Sequence, residues 1–347
     1  MIRIRSKLLA AVTLVAVGAA LAAGCGGDEE TGGETTETTT PTSSLKVALI
    51  ADAGQLNDDG FNELAYKGLK RAERELGITG RVIEAKSEAD YVPNMSSFAR
   101  RGYDLIIGVG FAQGEAVAAA AKRYPETSFA IVDVDQASLK GKPANVQGLL
   151  FREEQVGYLV GYLGALEAKR AGGSTISAVG GFKEPPVDRF IAGYRAGAEA
   201  AVPGMKVRWG YSQNWDDQAK CKELALNQIA AGSKVVFQVA GGCGLGALSA
   251  AKDESVWGIG VDGDQSFLGP HVLTSALKGV DSAVFLTIKA KEDGTFEGGK
   301  SVVFGIDQDG VGLGTLSPNA NDDDVAAVEK VKQQLADGEI TGIPTTV

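Results

Sequence analysis

Carboxylates, aromatic rings and glycines follow the predicted strands of this 347-residue chain, at the points where each strand ends. Carboxylates accept hydrogen bonds from neutral hydroxyl groups, and such charge-assisted bonds contribute about 1.5–3 kcal/mol each. Aromatic rings offer flat faces, on which stacking of a base contributes about 1–3 kcal/mol. The segments concerned are Asp52–Asn62, Gly108–Phe111, Asp133–Asp135, Asn214–Asp216, Ala240–Gly246 and Gly260–Gln265. They indicate a site for a sugar joined to a heterocycle, and they hold almost no nucleophile–base combination.

These strand ends belong to an alternation of apolar strands and amphipathic helices. Leu45–Ala51 is a buried apolar run, and apolar residues at three- and four-residue steps predict a helix from Phe61 to Leu76, ended by Gly77. Such alternation predicts parallel sheets covered on both faces, with ligands beyond the carboxyl ends of the strands. Further strands are predicted at Leu105–Val109, Ser128–Val132, Thr175–Val179, Val207–Tyr211, Val235–Val239 and Val256–Val261. Further helices are predicted near Glu115–Arg123, Glu154–Ala171, Asp188–Ala201, Gln218–Ala231 and Asp323–Leu335.

The N-terminus has the features of an export signal. Three basic residues among the first seven precede an uncharged run, Leu8–Ala23, which is too short and too rich in Ala and Gly for a spanning helix. Small residues then lead to Cys25 in a segment that resembles a bacterial lipobox, although Ala22 stands where that pattern prefers Leu, Val or Ile. We expect a signal peptide over residues 1–24 and lipidation of Cys25. The alternative is an ordinary cleaved signal with a chance cysteine.

Residues 25–44 are predicted to form a disordered tether. From Asp28 to Ser44 the only apolar residue is Pro41, so the segment cannot bury enough surface to offset its ordering entropy. Acyl chains of the bacterial lipoprotein kind on Cys25 would exceed the two signals that stable anchoring needs. We therefore expect an exported protein that is anchored to the cell membrane and faces the periplasm or the outer surface.

Charge and cysteine content narrow the class of partner. Removing residues 1–24 takes away three basic and no acidic residues, which brings the formal net charge from −10 to −13. An acidic body argues against nucleic acid, since phosphate binding needs Lys and Arg clusters. The single histidine, His271, and the lack of a Cys-x-x-Cys pair argue against a metal site, and no cofactor is expected. Cys221 and Cys243 could form a disulfide in an oxidising exterior, or remain buried thiols.

A set of short motifs runs in a fixed order through nearly the whole mature body, from about Leu45 to Pro344. The motifs are Asp52-x-Gly54, Asp59-Gly60-Phe61-Asn62, Gly110-Phe111, Phe151-Arg152-Glu153, Gly157-Tyr158-Leu159-x-Gly161, Gly180-Gly181, Pro185-x-Val187-x-x-Phe190, Gly193-Tyr194-x-x-Gly197, Gly260-Val261-Asp262-x-Asp264-Gln265 and Leu273-Thr274-Ser275-x-x-Lys278. No single motif is specific. In this order they resemble the basic membrane protein family of lipoproteins, similar to bacterial purine nucleoside receptors of ATP-binding-cassette (ABC) importers.

The resemblance implies a type I periplasmic-binding-protein fold, with two Rossmann-like α/β lobes whose parallel sheets are joined by crossing hinge strands. Two lobes also suit a body of roughly 300 residues, which exceeds what one core usually holds. We expect the first lobe over 45–153, with a return at about 263–295, and the second over 154–262, with part of 296–347. The lobe that holds the C-terminal helix is open. The family implies a small-molecule ligand and ABC permease and ATPase subunits as partners, and a monomer is expected.

Motif positions carry the family's site over to this chain, with a nucleoside between the lobes. From the first lobe, Asp52 and Asn62 would contact the ligand and Phe61 would lie against the base. From the second lobe, Trp215 would cover the other face of the base, where the family often has Phe. Asp262 would accept hydrogen bonds from the ribose hydroxyls. The remaining expected contacts are Gly110, Phe111, Asp133 at a polar edge of the base, Gly242, and Lys278, which would hold the sugar end or orient Asp262.

Each of these assignments has a structural alternative. Asp and Asn favour turns and helix caps, and we favour a ligand contact for Asp52 and a cap for Asp59. Phe61 could begin the buried stripe of its helix, and Trp215 could be a core or interface residue. Lys278 could be a solvated lysine at a helix start.

Two other functions are left open. Gly242-x-Gly244-x-x-Ala247 follows the strand Val235–Val239 and precedes Asp262 by about 20 residues, the outline of a dinucleotide-binding fingerprint and so of an NAD-dependent enzyme. Its place deep in the chain, a short helix and the lack of an acid–base pair weigh against it, and we expect no enzyme. A receptor of the same fold for a sugar or signalling molecule is the second alternative, because fold does not choose the ligand.

Overall fold

Two six-stranded sheets form the centres of two α/β lobes in the computed structural model, which describes residues 43–52 and 55–347. The predicted signal peptide, Cys25 and nearly all of the predicted tether lie outside the described residues. In the part of the chain that is described, no helix has the length and apolar character needed to cross a membrane.

Strands and helices alternate as the sequence predicts. The strands are β1 (Lys46–Ala51), β2 (Thr79–Glu84), β3 (Leu105–Gly108), β4 (Ser128–Val132), β5 (Val146–Phe151), β6 (Thr175–Gly180), β7 (Lys206–Tyr211), β8 (Val235–Val239), β9 (Trp257–Asp262), β10 (Val272–Lys278), β11 (Lys300–Phe304) and β12 (Val311–Leu313). The helices are α1 (Phe61–Leu76), α2 (Tyr91–Arg100), α3 (Gly114–Arg123), α4 (Glu153–Arg170), α5 (Pro185–Ala201), α6 (Gln218–Ala230), α7 (Gly241–Asp253), α8 (Val280–Glu292) and α9 (Asp322–Ala336). The predicted elements are present with ends shifted by at most three residues.

The two sheets repeat one architecture. The first has the strand order β11-β5-β4-β3-β1-β2 and is parallel throughout. The second has the order β12-β10-β9-β8-β6-β7 and is parallel except for the short edge strand β12, which runs antiparallel to β10. The carboxyl ends of the parallel strands carry the residues singled out in the sequence. The structure therefore confirms the two-lobed α/β fold.

Three connections carry the chain between the lobes. The chain passes from β5 into α4, from β10 into α8, and from β11 into β12. Helix α4 packs against α5 and β10, whereas α8 packs against α1 in the first lobe. The C-terminal helix α9 packs against α4 and so belongs to the second lobe.

One predicted lobe boundary needs correction. The segment 263–295 was expected to return to the first lobe, but β10 pairs with β9 in the second sheet, and only α8 returns. No α-helix separates β9 from β10, since the connection holds only a 3₁₀ turn at Ser266–Leu268. The alternation of strands and helices therefore carries no signal for this pairing.

Glycines bring α4 and α5 into close contact. A Cβ atom at Gly161 would collide with the backbone carbonyl of Tyr194, and one at Gly197 would collide with that of Tyr158. Tyr194 and Phe190, predicted as core residues, are buried in this lobe. The glycines of both helices thus allow the helix axes to lie closer together than any larger residue would.

Alanine at Gly197 is expected to lower the free energy of unfolding. Overpacking costs about 1–3 kcal/mol, which exceeds the gain of up to about 1 kcal/mol from the better helix propensity of alanine. Denaturant unfolding measures the change. Gly312→Ala is the matched control, because an added Cβ there meets no atom within 4 Å. A Gly197→Ala protein as stable as the wild type would contradict this account of the helix pair.

Candidate functional site

A cleft between the two sheets brings together residues from the carboxyl ends of their strands. About 660 Å³ of space, part of it open to solvent, lies among its lining residues. Every ligand contact expected from the sequence lines it, and these are Asp52, Phe61, Asn62, Gly110, Phe111, Asp133, Trp215, Gly242, Asp262 and Lys278. The sequence analysis missed Gln55, Asp58, Glu184, Pro186, Val187, Phe190, Asp216, Val239 and Gly241, which line it too.

The buried ammonium group of Lys278, at the end of β10, joins carboxylates from different elements. Its Nζ atom lies 2.7 Å from Oδ1 of Asp133, which follows β4, and 3.0 Å from Oε1 of Glu153, the first residue of α4. The ring centroids of Phe61 and Phe151 lie 5.1 and 5.0 Å from the same nitrogen, within reach of a cation–π interaction. Only 2% of Lys278 is exposed, so the solvated-lysine alternative is wrong.

Burial and mutual attraction together set the protonation of this cluster. Burial alone would lower the pKa of Lys278, but the carboxylates of Asp133, Glu153 and Asp262 outweigh it and raise that pKa above its ordinary value. Burial raises the pKa of Glu153 to about 7, although Lys278 opposes the rise. Burial likewise raises the pKa of Asp262 to about 7, again against the attraction of Lys278. Lys278 is therefore charged at neutral pH, whereas burial disfavours the charged forms of Glu153 and Asp262.

The first turn of α1 is capped by Asp58, and the predicted cap at Asp59 is wrong. The Asp58 carboxylate accepts hydrogen bonds from the backbone N–H groups of Gly60, Asn62 and Glu63, at 3.0, 2.9 and 3.2 Å. These are among the N–H groups that a helix leaves without intrahelical partners. Asp59 has a φ of 51° and an exposed side chain, which directs it away from the helix. The sequence has two adjacent aspartates, and the conformation of the turn places only the side chain of Asp58 where it can cap the helix.

Contacts on three sides hold Asp52 at the edge of the cleft. Its carboxylate accepts a hydrogen bond from the hydroxyl of Tyr91, a residue that no motif or spacing in the sequence singles out. Its backbone N–H donates to Oδ1 of Asn62 at 2.9 Å. Gly110 has a φ of 106°, and a Cβ atom there would collide with the Asp52 carboxylate. Glycine is thus required at position 110 for both its backbone angle and the space it leaves.

An aromatic ring from each lobe lines the cleft, Phe61 from the first and Trp215 from the second. The centroids of the Trp215 and Phe182 rings lie 5.4 Å apart. The backbone carbonyl of Trp215 accepts a hydrogen bond of 2.7 Å from the backbone N–H of Cys243. Cys243 is joined to Cys221 by a disulfide, with their Cα atoms 5.6 Å apart. The cross-link ties the first turns of α6 and α7 together directly behind Trp215.

The glycines that open α7 have a packing role. A Cβ atom at Gly244 would collide with the side chain of Gln238, and one at Gly246 would collide with the carbonyl of Gln218 at the start of α6. These contacts explain Gly244 and Gly246 without a dinucleotide, whereas a Cβ atom at Gly242 would meet only the carbonyl of Trp215, at 3.5 Å. Helix α7 spans 13 residues, so its expected shortness was wrong.

Comparison with known proteins gives matches along most of the chain. The family model described as "ABC transporter substrate-binding protein PnrA-like" (Bmp) matches residues 45–342. The ABC transporter nucleoside-binding protein BmpA of Lactococcus lactis subsp. cremoris is 33% identical over 359 residues, which cover 97% of this chain and 99% of the relative. An uncharacterised lipoprotein of Pyrococcus horikoshii is 35% identical over 310 residues, which cover 86% of this chain and 75% of the relative.

Solved structures agree with the sequence matches. A solute-binding protein of an ABC transporter system from Aeropyrum pernix K1 superposes with a TM-score of 0.78 at 29% identity. The match covers 86% of this chain and 94% of that chain. The similarity therefore extends over both lobes and the connections between them.

Replacing Lys278 by Met is expected to lower the free energy of unfolding by about 3–5 kcal/mol at pH 8, because Asp133 would stay buried without its cation and Glu153 would keep only the longer contact with Arg189, at 3.5 Å. Adding Glu153→Gln to this variant should recover part of the loss. Denaturant unfolding of both variants measures these changes. Lys289→Met is the control, since the Lys289–Asp293 ion pair is exposed and worth about 1 kcal/mol or less. Similar losses at positions 278 and 289 would contradict the role of the buried cluster.

Asp262→Asn is expected to stabilise the ligand-free protein progressively as the pH rises from about 4 to 7. The folded-state pKa of Asp262 is raised from 3.8 to about 7, so folding opposes its ionisation, and this cost is complete only above the folded-state pKa. Each unit of pKa corresponds to about 1.4 kcal/mol, which thermal unfolding in a pH series detects. Asp264→Asn should instead destabilise the protein by an amount that is nearly constant over this range and shrinks only as the pH falls below about 4, because hydrogen bonds from Thr315 lower the pKa of Asp264 from 3.8 despite its partial burial. Parallel pH profiles for the two variants would refute the assignment.

Proposed function

The chain belongs to the PnrA-like (Bmp) family of ABC transporter substrate-binding proteins, and we propose that it binds a purine nucleoside between its two lobes. The matched relatives and fold neighbours are substrate-binding proteins, so the chain is not an enzyme. One observation carries the nucleoside proposal, namely that one cleft combines an aromatic ring from each lobe with carboxylates at its floor. The name of the Lactococcus lactis relative, a nucleoside-binding protein, supports the same ligand class.

The base would lie between Phe61 and Trp215. The two rings come from different lobes, so a flat ligand that contacts both faces is enclosed only when the lobes are close together. Stacking on each face contributes about 1–3 kcal/mol and tolerates any base. The rings thus supply affinity for a heterocycle, while hydrogen-bonding groups at its edges must supply the choice of base.

The ribose would lie at the floor of the cleft, next to Asp262 and Lys278. Asp262 carries acceptor oxygens suited to a pair of hydroxyl groups, and charge-assisted hydrogen bonds of this kind contribute about 1.5–3 kcal/mol. Lys278 is already engaged with Asp133 and Glu153, so its ammonium group holds the carboxylates in position and offers no free cation to the ligand. An uncharged sugar suits this environment better than a phosphorylated one.

Binding and closure would be one event. A ligand that touches side chains of both lobes stabilises the closed arrangement by its extra contacts there and shifts the population towards it. The family implies that the loaded protein is recognised by transporter subunits. We propose that the protein acts as a monomer held at the membrane by a lipid on Cys25, in keeping with relatives named lipoproteins.

Trp215→Ala is expected to weaken nucleoside binding about 5- to 150-fold, the equivalent of one lost stacking interaction. Calorimetric titration of protein freed of bound ligand by unfolding and refolding measures the affinity for adenosine, guanosine, inosine, cytidine, uridine, adenine and ribose. Trp209→Ala is the matched control, because Trp209 is exposed on β7, where it contacts Arg195. It should leave the affinities unchanged.

The titration also decides between ligand classes. Tight binding of purine nucleosides with weak binding of adenine and ribose alone would support a site that needs both parts of the ligand. Absence of heat and of thermal stabilisation with every nucleoside would refute the proposal. A sugar or signalling-molecule receptor of the same fold would then be tested with free sugars.

A further inference from the structure

The carboxylate of Glu184 lines the cleft from the second lobe without serving the fold. Glu184 occupies the N-cap position of α5, yet its side chain makes no capping hydrogen bond. Among the residues that the structure describes, its carboxylate has no hydrogen-bond or ion-pair partner. The residue is half-buried, so its carboxylate is partly removed from water as well. Such a group is costly unless a partner that comes from outside the chain satisfies it.

The surroundings of Glu184 are acidic. Burial, together with the carboxylates of Asp52, Asp133 and Glu88, raises its pKa to about 7 against the attraction of Lys278. Lys278 is committed to other carboxylates at the floor of the cleft. The other charged groups on its own and neighbouring segments are Lys183, Asp188, Arg189, Asp216 and Asp217. The chain therefore leaves this carboxylate as an acceptor for hydrogen-bond donors of the ligand.

Glu184 stands on the wall that carries the proposed stacking ring. Phe182, two residues earlier, contacts the ring of Trp215. Both Glu184 and Trp215 line the same cleft. A heterocycle stacked on Trp215 would thus present one of its edges towards the carboxylate.

We propose that Glu184 determines base specificity by accepting hydrogen bonds from N–H groups on the edge of the base. This inference rests on the proposed nucleoside function. The two oxygens of a carboxylate match two adjacent parallel donors, and guanine offers such a pair in its ring N1–H and its exocyclic amino group. Hypoxanthine offers the ring N–H alone. Adenine places an acceptor nitrogen beside its amino group, which a carboxylate repels. The expected order of preference is guanosine, then inosine, then adenosine.

The same geometry makes guanosine binding depend on pH. A protonated Glu184 has one oxygen occupied by hydrogen, so it cannot accept from both donors of guanine. Guanosine affinity should therefore rise as the pH increases through about 7, the range in which Glu184 loses its proton. The neutral acid can donate to an acceptor nitrogen, so adenosine affinity should not show this rise.

Glu184→Gln tests the proposal, because the amide keeps the shape of the side chain but replaces one acceptor with a donor. Guanosine affinity is expected to fall about 10- to 100-fold at pH 8. Adenosine affinity should rise, because the amide removes the repulsion and can donate to the acceptor nitrogen of adenine, and the guanosine pH dependence between 6 and 8 should flatten. Thermal unfolding verifies that the variant folds, and Glu184→Ala provides a second variant. Glu223→Gln, on the exposed face of α6, is the matched control.

The outcomes separate the two proposals. A selective loss for guanosine together with the flatter pH profile supports the role of Glu184. Equal losses for all nucleosides, or none, overturn that role while wild-type binding upholds the nucleoside function. If the wild-type protein binds no nucleoside, the proposed function itself fails, and the inference about Glu184 fails with it.

Discussion

The contact of Lys278 with Asp133 and Glu153 joins parts of the chain on which the cleft depends. Lys278 ends β10 in the second sheet, Asp133 follows β4 in the first, and Glu153 opens α4 where the chain crosses between the lobes. A buried cation without its carboxylates would cost several kcal/mol, and so would the carboxylates without their cation. The position of one lobe against the other is therefore coupled to this cluster. Asp133 and Lys278 themselves line the cleft, and the other lining residues lie around them.

The cleft is acidic beyond what one ammonium group can neutralise. Glu153, Glu184 and Asp262 all have a pKa near 7, chiefly because burial disfavours their charged forms. Burial of these carboxylates lowers the stability of the ligand-free protein. Hydrogen-bond donors of a neutral ligand would offset part of this unfavourable free energy. A site of this kind opposes anionic ligands and favours hydroxyl and N–H groups, so binding energy and specificity have the same electrostatic origin.

The second lobe is rigid where it faces the ligand. Close contact of α4 with α5 through Gly161 and Gly197 leaves no space for the helices to shift. The disulfide between Cys221 and Cys243 lies behind the segment that carries Trp215, whose carbonyl is bonded to the backbone of the same cross-linked turn. A ring held in place before the ligand arrives loses less conformational freedom on binding.

The sequence by itself determined the alternation of strands and helices and the strand ends at which the site lies, because both depend on periodicity and on neighbours along the chain. All ten expected contacts accordingly line the cleft. Only the tertiary structure decided that Asp58 rather than Asp59 caps α1, that β10 lies beside β9, and that Glu184 has no partner among the residues the structure describes. It also decided that Lys278 is buried, since its partner Asp133 is 145 residues away. Ion pairs between residues so far apart in the sequence depend on how the two sheets pack against each other, and no local sequence pattern indicates that packing.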